Sequence, residues 1–448
     1  METWDAFERA ARLTQGTPLA EAIDVADAAA WAALDRAVRD LATGRPSLLP
    51  ALAWARGRGR RVHWEWDAPL PSVNWRRAEP REPELAVALC HPDGRIRQAA
   101  LARAAGASAL LPLVVIRCAD WVAPVREDAR ELLRQALPGV GPDAIAVLAA
   151  VVLRVARRER GGEARDMLEA ALRTGPVPVL QAVLVSEDRA VRRLAYRIAV
   201  ERRLFSPVRL AALAAAEGDV VVQGICADAA LKAVDADTGD EVLRPLLESR
   251  HSRVRSAGVT ALHRTGRHAW AEAFLADRSS MVRACARWAL RQIGADPAPL
   301  CRALCSGEGA AMPSAAPLAL AECGSRDDAD LLWGLTGHPH DGVRAHAVAA
   351  LRLLETVDVA RLTTLLDDPA PRVVREAATT LVPWAGRLSV EELAGRLDPE
   401  RPRHVRVGAY RLLAARGGAV HRDAALRLSG DPDPGLRANA LAVLGSLR

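Results

Sequence analysis

Lysine is almost missing from this chain: of 61 basic side chains, Lys232 is the one lysine and the rest are arginine. Arginine codons are GC-rich and lysine codons are not, so the bias reads as genome composition. The formal charge of +6 over 448 residues is a small excess, weak evidence for a phosphate-binding surface. Aromatic residues are scarce too, at 4% against 50% apolar overall. A core must therefore be built from Leu, Val and Ala, which suit closely paired helices and need no strands. The seven cysteines are odd in number and contain no C-x-x-C pair. That excludes a disulfide framework and a zinc-knuckle spacing, and fits reduced thiols in a cytosol. Long apolar runs are absent as well: the stretches at 107–116 and 144–153 stop at Arg117 and Arg154, about half the ~20 residues a membrane span needs. The opening Met1-Glu2-Thr3-Trp4-Asp5 lacks the basic start and apolar run of a signal peptide. A soluble, cytoplasmic chain is expected.

What the chain does have is a repeat. An apolar residue plus arginine recurs at Ile96-Arg97, Val125-Arg126, Val191-Arg192, Val254-Arg255, Val282-Arg283, Val343-Arg344, Val374-Arg375, Val405-Arg406 and Leu436-Arg437. The last four arginines are spaced 31, 31 and 31 residues apart, which marks a solenoid in which each unit packs only on its neighbours. The third residue after the anchor is usually alanine (Ala100, Ala195, Ala286, Ala347, Ala409, Ala440) and the seventh often leucine, a stripe of helical period. Turn residues such as Asp431-Pro432-Asp433-Pro434-Gly435 precede it and suit a sharp helix start. A second apolar helix lies between anchors, as at 240–247, 268–275, 329–335, 359–366, 390–397 and 420–428. Two helices per unit make an α-hairpin.

The stretches Asp277 to Ala286 and Asp431 to Ala440, with His338 to Ala347 and His91 to Ala100 as variants, follow Asp-Pro-x-x-x-Val-Arg-x-x-Ala. This pattern resembles the HEAT repeat family, in particular its short bacterial form, the phycobilin-lyase HEAT-like repeat. Units are degraded around Gln223 and around Met312-Pro313, where Pro317 intrudes, and one near Ala164-Arg165 is off spacing. The resemblance implies an all-α fold, a right-handed α-α superhelix of about eleven to twelve helical hairpins. It further implies a ladder in which Asp and the arginine after it tie neighbouring repeats. Asp277, Arg283, Arg344, Arg375, Arg406, Asp431 and Arg437 are assigned to that structural ladder.

Residues 1–82 do not follow the period and are expected to form an N-terminal helical cap, with 83–448 as the array. One amphipathic helix is predicted over 19–41 and a shorter one over 47–55. Trp64, Trp66, Trp75, Arg76 and Arg77 then form the most unusual local segment. Two roles fit it: a cover for the end of the solenoid core, or a docking surface of the Trp and Arg type that anchors interfaces. Trp288, at the fifth position after an anchor, is a further candidate for partner binding. That position holds no run of basic residues, which opposes a phosphate-tracking groove.

Catalytic and metal spacing is poor. None of the ten histidines precedes a glutamate, unlike the iron site of the HEAT-like deoxyhypusine hydroxylase. His338, His340 and His346 cluster in sequence, the first two at capping positions, and Cys301, Cys305 and Cys323 read as small core residues. No catalytic residue, cofactor or metal site is assigned. The resulting expectation is a non-enzymatic scaffold or adaptor that binds a protein partner along its surface. One alternative is DNA or RNA binding, as in the HEAT-like alkylpurine glycosylases, favoured by the basic segments 154–160 and 189–203. Another is a lyase-type or other enzyme on this fold.

Overall fold

The computed structural model describes residues 8–13, 15–43, 80–234, 239–307 and 312–446. Every regular element among them is an α-helix or a 3-10 turn. The chain divides into two compact units, one of Met1–Leu210 with Glu217–Ala229 and one of Ala211–Ala216 with Ala230–Arg448. No helix among the described residues is long and apolar enough to cross a membrane.

The helix predicted over 19–41 is broken in two. A single turn at Leu19–Ala22 ends at Ile23 in extended backbone, and α1 runs over Ala28–Thr43. Asp24 and Asp27 cause the break, since their carboxylates accept the backbone amides of Ala26 and Ala29 at 2.9 and 2.8 Å and compete with helix bonds. The apolar side of α1 still turns inward, with Trp31, Leu34 and Val38 buried. The helix predicted over 47–55 lies outside the described residues.

From residue 82 onward the chain is a succession of helix pairs. The first unit contains α2 (Glu82–Leu89) with α3 (Gly94–Ala104), α4 (Leu111–Arg117) with α5 (Ala123–Ala136), α6 (Pro142–Val155) with α7 (Gly162–Thr174), and α8 (Val177–Leu184) with α9 (Arg189–Glu201). The pair α10 (Pro207–Ala216) and α11 (Val220–Lys232) follows. The second unit continues with α12 (Gly239–Glu248) and α13 (Ser252–Arg264), then a 3-10 helix (His268–Phe274) with α14 (Ser280–Arg291). Next come α15 (Pro297–Cys305) with α16 (Ala316–Ala321), α17 (Ala329–Leu335) with α18 (Asp341–Leu353), and α19 (Val359–Thr364) with α20 (Pro371–Leu381). The last pairs are α21 (Val390–Gly395) with α22 (Arg403–Arg416), and α23 (Gly418–Leu428) with α24 (Pro434–Ser446). This is the all-α, HEAT-like arrangement expected.

The starts of these helices follow from their caps. Asp93 and Asp188 accept the amides of Arg95 and of Ala190 and Val191, satisfying donors that an open first turn leaves unpaired. The anchor valines and the alanines three residues on are buried, so that successive second helices approach on small side chains. Pro317 lies in the first turn of the six-residue α16, where its missing amide costs little. The irregular repeat is thus a shortened helix. Helices α20 and α22 approach closely: a Cβ on Gly408 would stand 2.9 Å from Val374 Cγ1. Gly408→Ala is expected to lower unfolding free energy by ~1–3 kcal/mol through overpacking. Urea unfolding checks this, and trimming the partner in Gly408→Ala/Val374→Ala should restore part of the loss.

Candidate functional site

Seven of the nine anchor arginines make one bond in common, while Arg406 donates to the carbonyls of Pro399 and Arg401 instead. Nη1 donates to the backbone carbonyl six residues back, from Arg97 to His91 at 2.7 Å, Arg192 to Ser186, Arg255 to Ser249 and Arg283 to Asp277 at 2.8 Å, and Arg344 to His338 at 2.9 Å. Arg126 and Arg437 do the same to Asp120 and Asp431. The bond staples the turn to the helix that follows it.

The other edge of the guanidinium reaches the next repeat. Nε and Nη2 grip a carboxylate with two parallel bonds in Arg97–Asp120 (2.9 and 2.7 Å), Arg255–Asp277 (2.9 and 2.8 Å) and Arg344–Asp368 (both 2.9 Å). Arg406 meets Asp431 through Nη2 at 3.1 Å. Each of these aspartates also accepts the amide two residues on, from Val122, Ser279, Ala370 and Asp433. Asp277 therefore pairs by side chain with Arg255 and by carbonyl with Arg283, and Asp431 likewise with Arg406 and Arg437. This corrects the expected pairing within one Asp-to-Arg motif.

Arg375 is a second correction. Its side chain is 70% exposed, and Val374 occupies the buried position instead. Asp368 stands six residues before Val374, so the spacing of 31 through Arg375 was one residue out of register. At the degraded unit, Gln223 keeps the staple, Nε2 donating to Glu217 O at 2.8 Å, while Arg193 holds Asp219 with bonds of 3.0 and 2.9 Å. Where the repeat is irregular, Arg283 reaches instead to Glu322, which Arg287 also pairs. In the first unit Arg117 binds both Asp120 (3.2 Å) and Asp35 of α1, tying that helix to the array. Arg97 and Arg39 stack over the Trp121 ring at 4.4 and 4.5 Å.

Burial pushes the Asp277 carboxyl up, but the bonds from Arg255 and Ser279 with the charges of Arg255 and Arg278 outweigh it and hold it below the ordinary value. The bond from Arg193 does the same for Asp219.

The outward faces of the second helices are mostly polar and paired to the next repeat. Gln98 bonds Asp128 at 2.9 Å, Arg173 bonds Glu201 at 2.9 Å, Arg352 bonds Glu376 at 3.1 Å and Arg403 bonds Asp433 at 2.8 Å. Helix α14 differs. Met281, Ala284, Cys285 and Trp288, at helical spacing, turn outward, with Met281 50% and Trp288 42% exposed. On the neighbouring α13, Ser256 Oγ lies 3.4 Å from Met281 Sδ, and the His263 ring stands edge-on to Trp288 at 5.5 Å. Trp288 is the expected candidate on this face, and Met281, seven residues earlier and two helical turns away, joins it. Trp64, Trp66, Trp75, Arg76 and Arg77 lie outside the described residues. His338 accepts the amide of His340 at 3.1 Å, as a turn cap. No group of three or more His, Cys, Asp or Glu poised for a metal occurs among the described residues.

No protein-family model matches the chain, and no curated protein matches it. Solved structures similar to it include the karyopherin Kap121p, at 14% identity and a TM-score of 0.34 over 78% of this chain and 47% of that one. Kap121p bound to the extreme C-terminus of the protein phosphatase Cdc14p gives 14% identity and 0.32 over the same shares. An engineered protein gives 17% identity and 0.23 over 83% of this chain and 97% of that one. The chain spans about half the length of Kap121p. The fold assignment rests on the helix pairs and their rungs described above.

Removing a rung should be costly only where the carboxylate left behind is buried. Arg97→Ala takes the two-bond partner from the fully buried Asp120, which Arg117 still contacts, and is expected to lose about 2–3 kcal/mol, whereas Arg375→Ala should change stability by less than ~0.5 kcal/mol. Equal losses in urea unfolding would contradict the assignment of Val374 to the buried position. The lowered carboxyls fix the sign of the acid response. Their stabilisation is present above the ordinary value of 3.8 and is lost as pH falls through the lower folded values. Urea midpoints should drop between about pH 4 and pH 2, and by less in Asp277→Asn.

Proposed function

We propose that the chain is a non-enzymatic scaffold that binds a protein partner, with the outward stripe of α14 as its contact. The observation that carries this reading is the contrast between faces. Other second helices expose aliphatic side chains, such as Leu353 and Leu441, while α14 exposes Met281 and Trp288 on one face beside His263, joining a thioether to a tryptophan. Contiguous apolar surface of this kind, rimmed by polar groups, is the usual signature of a protein contact, and tryptophan is the side chain most often found at its energetic centre. Arg291 is exposed on the same helix, so an acidic or amide-rich rim on the partner would complement it.

A second reading, nucleic-acid binding, is favoured by one observation. Residues 154–209 hold 13 arginines against 7 acids, an excess equal to the +6 of the whole chain. Arg154, Arg157, Arg189, Arg197, Arg203 and Arg209 are exposed there. A further basic excess, 9 arginines against 2 acids, falls at residues 250–291, where several of the arginines are spent on the rungs.

Affinity capture of the tagged full chain from its own host cells, with cross-linking and mass spectrometry, tests the two readings. A defined protein retained by the parent and by Arg375→Ala but lost by Trp288→Ala is the expected result. Trp288→Ala should weaken that complex by about 30-fold, or ~2 kcal/mol, at a cost of about 1 kcal/mol or less in stability. A partner held equally well by Trp288→Ala would remove the stripe from consideration. Recovery of salt-releasable nucleic acid that Arg197→Glu/Arg203→Glu fails to retain would favour the second reading.

A further inference from the structure

The nine arginines of residues 250–291 do not all serve the rungs. Arg255 pairs with Asp277, Arg267 with Asp240, and Arg283 and Arg287 with Glu322. Arg250, Arg253, Arg264, Arg278 and Arg291 are exposed, and none of them meets a carboxylate of the described residues. Three of these lie along the facing stripes of α13 and α14. Arg253, Ser256, Thr260 and Arg264 follow one another at helical spacing on α13, as Met281, Cys285, Trp288 and Arg291 do on α14. The stripes touch near both ends, through Ser256 Oγ and Met281 Sδ at 3.4 Å and through the rings of His263 and Trp288, whose centroids are 5.5 Å apart. Charge thus brackets an apolar middle.

The imidazoles beside Trp288 add hydrogen-bond donors. His263 and His268 stand 5.4 Å apart between ring centroids, and the Nδ1 of each is enclosed with no hydrogen-bond partner. An N–H enclosed without an acceptor is costly, so each ring in its neutral form carries the proton on Nε2. No group of the described residues accepts from either Nε2, which leaves both as donors for an incoming oxygen.

We propose that this face of α13 and α14 binds an acidic amphipathic helix of a partner protein, an inference that rests on the α14 contact proposed above. Met281 and Trp288 are two helical turns apart, about 10 Å along the axis. A helix laid beside them with apolar side chains at i, i+3 or i+4, and i+7 matches that interval. Carboxylates toward its ends then reach Arg253 on one side and Arg264 and Arg291 on the other, and oxygens at the Trp288 end accept from the imidazoles. Nucleic acid fits less well. A phosphate backbone calls for basic groups along its whole track, whereas the middle of this face holds Ala284, Cys285 and Trp288.

The test is a surface-display selection on the full chain, using helical segments of about 20 residues with apolar side chains fixed at i, i+3 and i+7 and every other position random, followed by fluorescence anisotropy of the segments retained. The expected segments carry an excess of at least about four acids over bases. Arg253→Glu/Arg291→Glu should weaken them about ten-fold or more and Arg253→Lys/Arg291→Lys by less than about three-fold, with the difference largely erased at about 0.5 M salt. Segments with no acidic excess, acidic segments that the Glu variant holds as well as the parent, or a selection that enriches nothing would each overturn the inference. Neutral segments lost with Trp288→Ala would overturn it while leaving α14 as a contact, and segments indifferent to Trp288→Ala would remove the stripe as well. A duplex DNA of about 20 base pairs that binds more tightly than any selected segment and is lost with Arg253→Glu/Arg291→Glu would give the face to nucleic acid instead. The composition of the segments is read on the parent chain, so it decides the matter even if a variant misfolds.

Discussion

The structure depends on one aspartate placed between two arginines. Its carboxylate is gripped by the guanidinium of the preceding repeat, its carbonyl is stapled by the guanidinium of its own repeat, and a carboxylate oxygen caps the next helix, as at Asp277 with Arg255, Arg283 and Ser279. One residue thereby satisfies a turn, a helix start and the junction between repeats. The geometry demands arginine. A lysine has no planar fork with which to hold a carboxylate on one edge and a carbonyl on the other, and so the near absence of lysine does the fold no harm.

The two bonds of the arginine are separable. Gln223 shows it, since an amide keeps the carbonyl staple with no charge at all while Arg193, from another position, holds Asp219. Val374 goes further, giving up both bonds and filling the space with methyl groups against which only a glycine, Gly408, can pack. The irregular repeat takes a third course: Glu322, after a short helix, replaces the loop aspartate for Arg283. What the repeats hold in common is a filled, electrically satisfied junction, and the sequence motif is its commonest solution.

This explains what could be read from the residues and what could not. Helix pairs, their alanine contacts and the arginine anchors follow from short-range periodicity, and they are where periodicity places them. At Arg375 the Val-Arg pair sits one residue beyond the anchor position, so the pair alone does not mark the register. The loop aspartate does mark it, because Val374 stands six residues after Asp368. The break at Asp24 and Asp27 was hidden because both suit the polar side of a helix as well as a turn. Glu322 does not follow from spacing, since it lies 39 residues from Arg283 where other rungs span 22 to 26. Of the candidate contact, Trp288 stood out by size alone. Its meaning came from Met281 and His263, which only three-dimensional packing sets beside it.

The substitution of Val374 for an ionic rung also makes the array uneven in its response to heat. The cost of stripping water from buried charges falls as temperature rises, while the attraction between methyl groups fades on cooling. Rungs such as Arg344–Asp368 therefore gain relative strength in the warm, and the junction of Val374 with Gly408 loses it in the cold. One chain thus carries, in adjacent repeats, two junctions that both weaken on cooling but at different rates, the ionic one still gaining on warming where the apolar one levels off, so the repeat that holds most firmly at one growth temperature need not be the firmest at another.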